Sequence, residues 1–315
     1  MAKTADAGKT KAPLSRRILR AKYLYLMMLP AAVWYVCFHI LPLYGIVAAF
    51  QDFKLTKGFF GSEWVGLENF RVLFASDFFW NALRNTLLIS TLKLAIGFPM
   101  PILLALAITN VQNKIFRRVT QTISYLPHFM SWVIVFAMSE LLFDEYIGAV
   151  GGILRSIGIG YTANVSAQTD TIIPFLLISS MWKTVGRSSI VYLAALSGVD
   201  PELYEAAKID GAGRARMCFA ITLPTIAPIC AIVLILAVGH ILGEDFEQIY
   251  MFQRNNPALI EKTQVFETYV FRQITSIVSK DSLPTALGLF QSVVGAILIL
   301  ITNSISKKLG YGGLY

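Results

Sequence analysis

The stretch DPELYEAAKIDGAGRARMCFAITLPTIAP, residues 200–228, is a polar, helix-forming insert between two long apolar segments. Asp200 is a good helix N-cap, and Pro201 fits the first helical position, where no amide donor is needed. Glu202 then sits at the positive end of the helix macrodipole. Leu203, Ala206 and Ala207 recur at i, i+3 and i+4, which makes a small, flat apolar face with the Glu205 carboxylate at its edge. Asp210 and Gly211 end the helix, since glycine tolerates the left-handed conformation that follows a last turn. A second short helix is expected over residues 212–220, with Pro224 opening the next apolar segment. The insert predicts a compact helix-turn-helix standing between two membrane spans.

The rest of the chain supplies those spans. It has 315 residues, 56% hydrophobic and 15% charged, with a mean hydropathy of +0.61. Soluble domains carry about 25% charged residues, so much of this surface is expected to face lipid. A bilayer core about 30 Å thick needs roughly 20 apolar residues of helix. Six segments qualify, at residues 23–50, 80–108, 119–143, 171–199, 222–252 and 283–306. Pro30, Pro42, Pro99, Pro101 and Pro174 mark sites for kinks, because proline removes a donor. Neighbouring helices can satisfy the freed carbonyls.

Lysine and arginine placement sets the orientation. The tail before residue 23 is basic, and further basic groups recur at Lys114, Arg117 and Arg118, at Lys208, Arg214 and Arg216, and at Lys307 and Lys308. The alternate connections hold their basic residues more sparsely. The positive-inside rule then predicts both termini in the cytoplasm, with a basic tail at 1–22, a transmembrane domain at 23–306 and a short tail at 307–315. The first segment is long and lacks a small-residue cleavage site, so it reads as a retained helix. The net charge of +8 lies beside spans, and the aromatics lie in them, which argues against nucleic acid. Three cysteines form no disulfide framework or metal spacing. The aromatic stretch 51–79 predicts a short amphipathic segment along the outer surface. Glycines between 148 and 160 lack the lysine-serine/threonine ending of a phosphate loop, so no nucleotide site is expected in this chain.

Glu205-Ala206-Ala207, three residues, Gly211, nine residues, then Ile221-Thr222-Leu223-Pro224 resembles the EAA loop of binding-protein-dependent ABC importer permeases at every spacing. Residues 29–53, 84–106, 120–135, 246–252, 267–272 and 286–309 are similar to polysaccharide-type (LplB-like) permeases of the maltose and glycerol-phosphate permease superfamily. The resemblance implies an all-α integral membrane protein of type I ABC importer permease fold, with six transmembrane helices and a cytoplasmic coupling helix within residues 200–224. It implies a bacterial cytoplasmic membrane location and an oligosaccharide cargo. The implied partners are an extracellular solute-binding protein, a second homologous permease and two ATPase subunits that hold the ATP and Mg. Cofactors bound by this chain itself are not expected. Glu205, Ala206, Ala207, Asp210, Gly211, Leu223 and Pro224 would form the ATPase contact. No large external domain is inserted here, so shorter outer loops must meet the binding protein.

Charged groups within spans each cost about 2.5–3.5 kcal/mol on insertion scales and need a partner or a watery cavity. Lys183 and Arg187 are four apart on one helical face, so they form either a basic stripe toward an acidic sugar or a snorkelling or subunit-binding pair. Glu244, Asp245, Glu247 and Gln248 fall late in the fifth segment, where they either hydrogen-bond sugar hydroxyls or mark the interface and pair with Arg254. His39, His128 and His240 are isolated, and His128 is expected to hold a structural hydrogen bond beside Pro127. No nucleophile-base set is present in the sequence, so a transport subunit is expected and not an enzyme. A glycerol-phosphate-like cargo or a secondary transporter are the alternatives.

Overall fold

The computed structural model describes residues 21–158, 164–243, 245–275 and 282–314. Helix dominates, because a chain in lipid must satisfy its backbone internally. Helix α1 (Lys22–Phe50) enters first. Strands β1 (Gln51–Asp52) and β2 (Glu63–Trp64) pair antiparallel, Gln51 opposite Trp64. Helices α2 (Glu68–Phe74) and α3 (Asp77–Thr109) follow. The pair α4 (Lys114–Phe129) and α5 (Trp132–Phe143) is bent by 101°. After α6 (Ala149–Ser156) come α7 (Ile172–Ser197) and the exposed α8 (Pro201–Ile209). Helix α9 (Arg214–Gly239) leads to the short α10 (Phe246–Gln253), α11 (Pro257–Thr263) and α12 (Phe266–Thr275), and α13 (Ser282–Lys308) closes the chain.

Among the described residues, α1, α3, α9 and α13 are each long and apolar enough to cross a bilayer, and the bent α4–α5 pair passes the same test jointly. Helix α7 has the length, 26 residues, but carries Lys183, Arg187 and several serines. Each predicted segment thus has a helical counterpart, with two corrections. The third segment is not one straight helix. Pro127 lies in a 3-10 turn, and Ser131 takes extended backbone and caps α5 by accepting the Ile134 N–H. The fifth does not run from Thr222 to Phe252. It starts at Arg214 and stops at Gly239.

The early start absorbs the expected second short helix. A π-turn at Cys218–Thr222 carries the helix past Pro224, whose missing amide would otherwise interrupt it. At the other end the Gly243 N–H closes a turn on the His240 carbonyl at 2.8 Å, and extended Asp245 begins α10. The stretch 51–79 holds a hairpin as well as the short helix α2. The Asn69 amide ties them by donating to the Ala49 and Gln51 carbonyls, each at 2.9 Å. Ser282 at the head of α13 joins in, donating to the Gln51 carbonyl and accepting the Phe53 N–H.

Helices α3 and α7 sit at the centre. Ala105 and Ile108 of α3 pack on Tyr192, Leu193 and Leu196 of α7, with Ile226 of α9. Ile89, Trp132, Leu176, Ile249 and Phe252 fill a second cluster, and Leu73, Phe79, Phe266 and Leu287 a third. Two glycines let backbones touch. A Cβ on Gly186 would stand 2.0 Å from the Ser124 carbonyl oxygen of α4, and one on Gly295 would stand 2.6 Å from that of Gly239. Gly186→Ala should therefore lower the melting temperature of the purified protein, by a destabilisation of about 1–3 kcal/mol typical of overpacking. Gly288→Ala, which meets nothing within 4 Å, should be neutral or stabilising by up to about 1 kcal/mol. Equal behaviour of the two variants would contradict the close α4–α7 approach.

Candidate translocation cavity and coupling loop

Helices α3, α4, α7 and α9 line a cavity of about 700 Å³. Its wall is largely apolar, with Leu94, Phe98, Leu177 and Val191 among the lining residues. Into this wall are set Ser90 and Lys93 from α3, His128 from α4, Thr184 and Arg187 from α7, and His240 after α9. Arg187 has no carboxylate partner among the described residues. Lys183, one turn away, is not part of this wall. Its ammonium lies 4.9 Å from the centre of the Trp132 ring on α5, a cation–π contact. The predicted basic pair is therefore divided between a cavity and an aromatic face.

The acidic cluster is divided as well. The Asp245 carboxylate is 4.0 Å from the Lys93 ammonium, with the lysine side chain 13% exposed and the aspartate 52%. Gln248 is fully buried and donates to the Leu176 carbonyl at 2.8 Å and the Ser179 hydroxyl at 3.0 Å. It fastens α10 to α7 and does not line the cavity. Glu244 lies outside the described residues. Among the described residues, Arg254 pairs with neither Asp245 nor Glu247. Its guanidinium grips Glu140 of α5 with two N–H bonds and also donates to the Ser166 hydroxyl. The Asn164 amide donates to the same carboxylate.

Lys93, Glu140 and the pairing of Glu140 with Arg254 were missed by the sequence reading. Lys93 was findable by the rule that picked out Lys183, because it is a lysine in the middle of an apolar segment. Glu140 is likewise a lone acid in the run WVIVFAMSELLF. His128 departs from expectation: its Nδ1 is buried with no hydrogen-bond partner among the described residues. His240 places Nδ1 3.0 Å from the Leu236 carbonyl, and His39 lies against the Trp34 and Tyr35 rings of α1. Beyond α5, Asp144 accepts the N–H groups of Ile147 and Tyr146. These backbone bonds hold its carboxyl below the ordinary carboxylate range.

The 200–224 loop forms as its residue types require. The Asp200 carboxylate accepts the Glu202 N–H at 2.9 Å, and Pro201 opens α8. Gly211 has φ +77°, and the Ala212 N–H reaches back to the Ala207 carbonyl at 2.9 Å. No residue of α8 is buried; Leu203 is 48% exposed and Ile209 87%. Glu205, Ala206 and Asp210 are exposed, and Ala207 is half-buried. Leu223 and Pro224 stand apart from this helix, in α9, where with Phe219 they line an apolar hollow against α13. The structure thus gathers Glu205 to Gly211 on one projecting element and sets Leu223 and Pro224 in the wall of the span.

Residues 97–310 match the family described as "Binding-protein-dependent transport system inner membrane component". The polygalacturonan/rhamnogalacturonan transport system permease protein YteP of Bacillus subtilis is 41% identical over 299 residues, 95% of this chain and 92% of that protein. Protein LplB of the same organism is 39% identical, covering 94% and 92%. A bacterial ABC transporter involved in the import of the acidic polysaccharide alginate contains a chain of the same fold, with TM-score 0.85 and 38% identity over 94% of this chain and 98% of that one. The bacterial alginate ABC transporter in complex with an alginate pentasaccharide-bound periplasmic protein gives TM-score 0.86 at 37% identity, covering 96% and 99%. With its helical bundle, projecting loop and inner-membrane relatives, the chain belongs to the binding-protein-dependent transport system inner membrane component family, as a type I ABC importer permease subunit and not an enzyme.

Proposed function

We propose that this chain forms one half of a translocation path for an acidic oligosaccharide. The observation that carries the reading is the placement of Lys93 and Arg187 in one cavity of otherwise apolar wall. Lys93 has the Asp245 carboxylate 4.0 Å away, whereas Arg187, with no carboxylate partner among the described residues, is stabilised when water or a mobile anion enters beside it. A uronate-containing sugar supplies carboxylates for the cations and an apolar ring face for the rest of the wall. The named substrates of YteP and of the alginate transporter support this chemistry. His128 adds an imidazole to the cavity wall. Lys183 steers from its seat on Trp132, and Asp245 sits beside Lys93 at one end. Gln248 serves the docking of α10 on α7 in this conformation.

The assembly needs an extracellular solute-binding protein, a second homologous permease and two ATPase subunits that bind ATP and Mg. Both termini then face the cytoplasm of a bacterial inner membrane. Glu205, Ala206, Ala207, Asp210 and Gly211 meet the ATPase through α8, where exposed Leu203 and Ile209 offer apolar contact. Leu223 and Pro224 carry the motion into the span. ATP-driven closure of the ATPases rocks the two permeases so that the path opens outward to the binding protein, and inward after hydrolysis.

The deciding experiment measures transport in the reconstituted complex, comparing a uronate oligosaccharide with a neutral one of equal length. Arg187→Gln and Lys93→Gln should each slow uronate transport about tenfold, the worth of a lost charge-assisted hydrogen bond, and leave any neutral flux nearly unchanged. Equal losses for both sugars would remove the charge-recognition reading. Separately, Glu205→Ala should abolish most of the ATPase stimulation caused by sugar-loaded binding protein. Full stimulation in that variant would take Glu205 out of the coupling contact.

A further inference from the structure

Helix α8 is thinly attached to the spans it is proposed to drive. None of its nine residues is buried. Its covalent path to α9 runs through Gly211-Ala212-Gly213, with Gly211 in the left-handed region. A glycine-flanked turn of this kind bends easily, so a push on α8 transmitted only along the chain would be absorbed there. One side-chain contact bypasses the turn. The Tyr204 hydroxyl lies 2.9 Å from the Thr222 hydroxyl, and the Thr222 hydroxyl in turn reaches the Met217 carbonyl at 3.4 Å. Among the described residues this is the side-chain hydrogen bond that joins α8 to α9.

Its place on α9 matters. Thr222 is buried and is the last residue of the π-turn Cys218–Thr222, two residues before Pro224. Here the helix is overwide and a donor is missing, so its root bends more readily than regular α-helix. A cavity of about 420 Å³ adjoins the contact, lined in part by Leu106, Thr109 and Gln112 from the far side. The hydroxyl pair is therefore set in a loosely filled region, where it supplies the stiffness that packing does not.

We infer that the Tyr204–Thr222 hydrogen bond is the latch that couples displacement of α8 to tilting of α9, with both residues acting as positioning groups for transport. The inference rests on α8 being the ATPase contact. The test uses the whole reconstituted complex and reads sugars imported per ATP hydrolysed, for Tyr204→Phe, Thr222→Val, Thr222→Ser and the Tyr204→Phe/Thr222→Val double variant. Each single deletion should lower that ratio roughly threefold to tenfold, the effect of one hydrogen bond of ordinary strength on an equilibrium. The double variant should be no worse than the poorer single one, and Thr222→Ser, which keeps the hydroxyl, should restore the ratio. An unchanged ratio in both single variants, or losses that multiply in the double variant, would overturn the latch. Failure of sugar-loaded binding protein to stimulate even the wild-type complex would instead bring down the importer assembly itself, and the latch with it.

Discussion

The seat of α7 on α4 at Gly186 constrains much of the interior. With the Ser124 carbonyl where any Cβ would have to be, the two backbones are as close as helices can come. Neither can rotate without a clash. That contact fixes the azimuth of α7, and the side chains on either side of it are sent in different directions. Arg187 turns into the cavity, and Lys183, one turn earlier, crosses the break in the third span to the Trp132 ring. Further along its length α7 binds α3 through Leu193 and Leu196, and α10 through Ser179 and Leu176. Small residues at helix crossings serve this purpose in membranes, where apolar side chains gain nothing by leaving lipid for one another.

Features that depend on neighbouring residues were legible in the sequence. The Asp200 cap, the Pro201 start, the turn at Gly211 and the bounds of α7 and α13 all follow from local chemistry. What escaped depends on geometry that no hydropathy window contains. The fifth segment is apolar from Ile226 to Leu242 but for His240, yet its helix stops at Gly239, where the backbone lies against α13 and then turns through His240–Gly243. Pro224 read as a helix start because a π-turn, which carries the helix through it, leaves no mark in composition. The Glu140–Arg254 pair joins residues 114 apart, and their separation hides the partnership although each charge is conspicuous alone. Of the candidate path residues, Arg187 was legible as an intramembrane charge but not in its separation from Lys183, and Gln248 was legible only as polar.

Polar groups in the membrane region sort by what satisfies them. Gln248 gives both amide protons to α7, and Glu140 is filled by Arg254, Ser166 and Asn164. These groups hold elements together, and the buried Gln248 is closed off from a solute. Lys183 is satisfied by an aromatic face, an intermediate case. Arg187 and the ring of His128 face the cavity without such fixed partners. An insertion cost of a few kcal/mol per charge is tolerated in the first group because protein partners offset it. In the last group only water or cargo can do so. That difference separates a structural charge from a path charge more sharply than position along the span does.

Helix α9 gives the cytoplasmic loop and the cavity a common moving part. It begins in the loop at Arg214, passes the π-turn, lines the cavity with Val233 and Ala237, and ends beside His240. At about 1.5 Å per residue its 26 residues span about 39 Å. Its far end is the better anchored, because the Gly239 carbonyl lies against Gly295 of α13 and Ile299 packs on Gly239. Its near end is held by side chains around a softened turn. A rod fixed at one end and displaced at the other moves least at the fixture and progressively more toward the loop. Tilting α9 about Gly239 would therefore displace the Arg214 end most and the Lys93–Asp245 end least.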